Sequence, residues 1–162
     1  MGSETDHTVD SVHSTLSNTS VELAGLFWEV PRDQQLHRSM ETEWCALEIL
    51  IHLKQVAEVY QGRVRRIMQN ESGQLVHLRD YDEHKLLSKV KIEEESVKSN
   101  IQLFMKARSD LLNRVSLIDK EEWMKKVADH EVLGEVSLLE LLSPLAKRET
   151  EFLVRLKSLI DE

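Results

Sequence analysis

The chain has 162 residues, 41% of them hydrophobic, which is enough for one sizeable core and leaves no room for a second domain. Twenty-one basic against 29 acidic residues give a net charge of −8, which argues against a generic nucleic-acid or membrane surface, since both rely on clustered Lys and Arg. With only five Gly and two Pro to interrupt them, long helices are expected, and the class is all-α.

The first basic residue is Arg32, so no secretory or transit peptide is expected, and no apolar run reaches the ~18–20 residues of a membrane span. A soluble, cytoplasmic protein follows as the expectation, with residues 1–7 disordered. Cys45 is the single cysteine, which excludes an intrachain disulfide, and among Trp44, Ala46 and Leu47 it reads as a small buried apolar residue.

Val9, Val12, Leu16, Leu23 and Phe27 recur at helical spacing and predict a first helix over 8–29, ended by Pro31. Residues 31–42 are polar and read as a connector. From Trp44 to Met68 the stripe Ala46, Ile49, Leu53, Val56, Tyr60, Val64 and Ile67 predicts a second helix. A loop is expected over 69–83, then a third helix over 84–117 with room for a break near 88–93. Asp119 and Glu122 have the spacing of a capping box and predict a short helix through Trp123 to about Ala128. Ser137 and Glu140 form a second such box opening the last helix, in which Pro144 should kink the first two turns. Four long amphipathic helices with a short extra one before the last give a four-helix bundle as one domain, 1–162.

His52 lies on the second helix between Ile49 and Val56, three residues before and four after it, so its imidazole is expected to face the interior or its mouth. Counting from Leu145, Arg148 and Phe152 fall on the inward stripe of the last helix, with Glu149 on the adjoining line. A divalent site in a bundle core commonly draws one His from one helix and an i, i+4 pair from another, and that pair is absent. His84 and His130 are loop-side residues without helical pairing.

Several segments, in this order, resemble the DinB-like (YfiT-like) superfamily of four-helix bundles: Trp44 to Leu53, the stretch RSDLLNRVSL from Arg108, Glu122-Trp123, His130, Gly134, LLELL from Leu138, and the closing FLVRL. The resemblance implies a bacterial protein, a bundle fold, possible homodimerisation, and a divalent metal, usually nickel or zinc, held by the His at position 52 and a His-x-x-x-His on the last helix. It also implies, for some members, thiol-dependent S-transferase or isomerase activity using low-molecular-weight thiols. The two helix positions correspond to Arg148 and Phe152, neither of which ligates in that manner. His52 is thus the sole retained ligand position, and neither a metal nor another cofactor is expected.

Arg108 falls on the inward stripe of the third helix, so two guanidinium groups, of Arg108 and Arg148, are expected to point inward. A buried cation requires a partner, here Glu48, Glu43 or Glu149. Alternatively the bundle mouth uses the fixed charge to hold a small anionic ligand, with His52, Arg108, Arg148 and Glu149 as candidate binding residues. The expectation is a metal-independent protein that binds a small molecule or is a structural or regulatory homologue. The alternatives are a thiol transferase with a rearranged metal site and a helical protein-interaction module.

Overall fold

The computed structural model describes residues 3–39 and 44–161, with side chains from Thr8 onward. The disorder expected over 1–7 falls on residues 1–2, outside this description, and on 3–7, where only backbone is described and is helical. Helix α1 (Ser3–Leu26) buries Val9, Val12, Leu16, Thr19 and Leu23 on one face. It ends before the expected residue 29, because the chain turns into Pro31 through Glu29 at φ 57°. A short α2 (Arg32–Gln35) follows, and then α3 (Ala46–Gln69). Cys45 precedes the first turn of α3, its amide bonded to the Glu48 carboxylate at 3.0 Å, and burial pushes its thiol pKa up.

The long third helix is two helices. Asp82 caps α4 (Glu83–Ser88) by accepting the Lys85 amide, and α5 (Val97–Val115) is restarted by Ser96, which accepts the Ser99 amide at 3.1 Å. A single 3-10 turn, Ile92–Glu94, lies in the break. Each new cap supplies an acceptor to amides a continuous helix would have satisfied internally.

A small sheet is the main departure from the sequence reading. Strand β1 (Val76–Leu78) lies within the expected 69–83 loop and pairs in parallel with β2 (Lys126–His130), which pairs antiparallel with β3 (Gly134–Ser137). The short helix expected through Ala128 is thereby corrected to one 3-10 turn, Glu122–Met124. The Asp119 cap does accept the Glu122 amide at 3.1 Å, but beyond Trp123 pairing to two neighbouring strands outweighs a weak helical preference. Gly134, at φ 77°, makes the reversal that a Cβ would strain.

The last helix, α6 (Leu138–Ile160), opens on the expected reciprocal cap of Ser137 and Glu140 and continues through Pro144. The architecture is mainly α, a four-helix bundle of α1, α3, α5 and α6 with the small sheet at one end. No described helix is long and apolar enough to cross a membrane. The core forms two apolar clusters. One joins Leu16, Val64, Leu111 and Leu142 to the sheet; the other gathers Leu23, Leu50, Phe104 and Leu156.

Candidate functional site

The four residues singled out from the sequence separate into two places. Between the apolar clusters Arg108 and Glu149 face each other, each 1% exposed. Arg108 Nη1 donates to Glu149 Oε1 at 2.8 Å, Nη2 donates to Oε2, and Nη1 also donates to the Leu16 carbonyl at 2.8 Å. Thr19 Oγ1 donates to the same Glu149 oxygen at 3.0 Å. This is a bidentate, multiply bonded pair, the arrangement that offsets the desolvation of two charges. Of the carboxylates considered for the interior arginines, Glu149 is the one used by Arg108. Glu48 instead pairs with Arg38, and Glu43 lies outside the described residues.

The second place is the mouth formed by α3, α4 and α6. His52 is fully buried, packed at 4.8 Å between ring centroids against Trp44 and at 5.3 Å against Phe152. Among the described residues neither of its ring nitrogens has a hydrogen-bond partner, and a carboxylate oxygen of Glu83 stands 3.7 Å from Nε2. Burial, then the Arg148 charge and His84, push the His52 pKa down to about 4. The ring is therefore a neutral imidazole near pH 7. His84 meets the edge of Trp44 at 5.7 Å, whereas His130 sits on β2, its Nδ1 accepting the amides of Val132 and Leu133.

Arg148 does not point inward, contrary to the expectation. Its side chain is 45% exposed and is paired with Glu83, its guanidinium 5.5 Å from the Phe152 ring centre. The correction has a simple geometric origin. From Leu145, the buried line follows the i+4 step to Glu149 and then Phe152 and Leu153, which leaves the i+3 position, Arg148, at the rim. Glu83 was not legible as a site residue, because it sits at the start of a helix that the sequence reading merged into a longer one.

Arg148 and Phe152 border an open cavity of about 410 Å³, lined also by Lys147, Arg155, Glu151 and Pro144. Three cations thus face one carboxylate.

No protein-family model and no curated protein matches the chain. Its structure does have a solved counterpart. The fold is that of the YfiT four-helix bundle. The protein YfiT from Bacillus subtilis, described as a probable metal-dependent hydrolase with an unusual four-helix bundle topology, superposes with a TM-score of 0.75 over 93% of this chain and 84% of its own, at 16% identity. The donor set here does not fit such a metal. The resemblance assigns two positions one turn apart on α6 to imidazoles, and they carry a guanidinium and a phenyl ring. Among the described residues no group of three His, Cys, Asp or Glu converges to hold an ion.

Proposed function

We propose that this protein is a metal-independent binding protein of the YfiT-like fold, taking a small anion such as a dicarboxylate or orthophosphate at the bundle mouth. One observation carries the reading: a guanidinium, Arg148, stands at a position where the resemblance expects a metal ligand, beside a cavity with Lys147 and Arg155 on its wall. Arginine presents paired N–H donors that match carboxylate and phosphate oxygens.

The neighbouring residues supply an exchange. Glu83 holds Arg148 in the free protein, and its carboxylate also lies 3.7 Å from the unbonded Nε2 of His52. A ligand anion that takes Arg148 releases Glu83, and a short swing gives Glu83 the neutral imidazole N–H as a replacement donor. His52 then acts as a positioning residue for Glu83, and Trp44 and Phe152 wall the imidazole off from water. Neither a nucleophile nor a chemical step is implied.

Thermal-shift measurement against dicarboxylates and orthophosphate at fixed ionic strength tests this, because a ligand that binds only the folded state raises its apparent stability. Stabilisation that disappears in Arg148→Met is the expected result. The proposal is overturned if no such anion stabilises the protein, or if the effect survives the substitution. Elemental analysis tests the metal-independent half: about one nickel, zinc or iron per chain, lost in His52→Ala, would return the protein to the metal-dependent reading.

A further inference from the structure

We propose that the groove between the last two turns of α3 and the strand β1 is a second, separate binding site for a pyrophosphate group, free or carried on a small organic molecule. It does not depend on the mouth reading above. Arg63, Arg65 and Arg66 from α3 and Arg79 just after β1 line it together with His77 and Tyr81, around a volume of about 540 Å³. That size falls in the range of small-molecule sites.

The sequence places these cations together by two periodicities. On α3, Val64 and Ile67 turn inward and leave Arg65 and Arg66 on the outer side. On β1 the buried Leu78 faces the core, so His77 and Arg79, on either side of it, share the opposite face. The run Gly62-Arg63-Val64-Arg65-Arg66 is contiguous in the sequence, but Arg79 is brought beside it only by the strand.

The charge at this groove is out of keeping with the molecule. The chain carries −8 overall, yet among the described residues none of these four arginines forms an ion pair. Glu58 is the one acid on the lining, and it lies 3.5 Å from Lys54. Arg63 is the strongest sign. It is only 6% exposed, and its guanidinium lies 5.2 Å from the Tyr60 ring centre and 5.3 Å from that of Tyr81, with Nη2 donating to the Arg79 carbonyl at 2.6 Å. Arg66 is pinned in the same way, Nη2 donating to the His77 carbonyl at 2.9 Å. A carbonyl takes one of a guanidinium's five N–H donors, and Arg63 also bonds the Tyr60 side chain, so both groups are fixed in place with donors to spare and with no ion-pair partner among the described residues. Arg66 is exposed, but Arg63 is a buried cation without an ion-pair partner, which is unfavourable, and an anion in the groove lowers that penalty.

Several cations converging on one depression favour a multiply charged group over a single carboxylate. Burial pushes the Tyr81 hydroxyl pKa up, so it meets such a group as a neutral donor. The surroundings favour a small molecule over a polymer. Beside the groove, around Tyr81, the surface turns acidic, with Asp80, Asp82, Glu83 and Glu131 lining the adjoining depression, and an extended nucleic-acid backbone would have to cross it.

Calorimetric titration of the full chain with inorganic pyrophosphate at constant ionic strength decides the matter. Binding is expected in the parent and in Arg148→Met alike, and it should weaken at least tenfold in Arg65→Gln/Arg66→Gln. Because Arg66 also holds β1, a second variant leaves every charge in place: Gly62→Gln fills the groove, and a Cβ at Gly62 meets nothing within 4 Å, so the fold tolerates it. It too should weaken binding at least tenfold. The proposal is overturned if pyrophosphate does not bind the parent, or if both variants bind it as the parent does. It is also overturned if a short single-stranded RNA binds more tightly than pyrophosphate with the same sensitivity to these variants, which would make the groove a nucleic-acid surface.

Discussion

Two arginine–glutamate pairs use neighbouring residues of α6, and they differ in almost every other respect. Glu149 turns into the core and meets Arg108 with two parallel hydrogen bonds, supported by Thr19 and the Leu16 carbonyl. Arg148, one residue earlier and about 100° around the helix, stays at the rim and meets Glu83, itself partly exposed. The same two residue types therefore serve opposite ends. In the interior, water cannot replace a lost partner, so the pair is held; at the mouth water can, so the pair is free to exchange.

The sharpest way to break this comparison is to remove one member of the inner pair. Arg108→Met leaves Glu149 charged and buried and should destabilise the protein by about 3–5 kcal/mol in urea unfolding. The double variant Arg108→Met/Glu149→Leu should recover most of that loss, since a well-packed apolar pair of similar volume often equals a buried ion pair. A single variant as stable as the parent would show that the pair is not buried as described.

The next effect is smaller and is read with pH. Among the described residues, the charged and titratable groups facing His52 are Glu83, His84 and Arg148. Its folded-state pKa of about 4 is below the ordinary 6.5, so the unfolded chain binds the proton more readily. The stability it contributes is full above pH 6.5 and is lost as the pH falls from 6.5 through 4, by up to about 3 kcal/mol. His52→Phe should flatten that slope relative to the parent. A parent and variant with the same slope would mean that His52 is not held neutral by burial.

The smallest effect belongs to the outer pair. Arg148→Met should change stability by about 1 kcal/mol or less, as exposed ion pairs generally do. A loss as large as that of Arg108→Met would erase the distinction between core and mouth.

How much of this was legible beforehand follows from the same physics. Leu138, Leu142, Leu145, Leu156 and their counterparts on α1, α3 and α5 repeat often enough to announce a bundle, and the Ser137–Glu140 cap marks the start of α6. The sheet was not legible, because β1 has three residues and β2 five, too short for alternation to stand out, and their pairing joins segments some 50 residues apart. At the candidate site, the inward placing of His52 came from spacing, whereas the reading of Arg148 and Phe152 as ligand positions came only from the resemblance. Which of Arg148 and Glu149 faced inward was not, since i+3 and i+4 from Leu145 flank the same stripe. The arginine groove was not singled out, because Arg79 reaches Arg63, Arg65 and Arg66 only through the strand pairing.

The inner pair has one more consequence, for helix register. The leucines of α6 repeat nearly every turn, so sliding the helix along its axis by one turn, about 5.4 Å, would still set leucine against apolar neighbours on α1 and α5. Glu149 allows no such slip. It lies where the two apolar clusters meet, level with Thr19 on α1 and Arg108 on α5, and one turn in either direction would bury its charge among hydrocarbon while stranding the arginine. The polar layer thus acts as a key that admits a single axial alignment of three helices, and that alignment in turn fixes the height at which Phe152 and Arg148 reach His52 and Glu83 at the mouth.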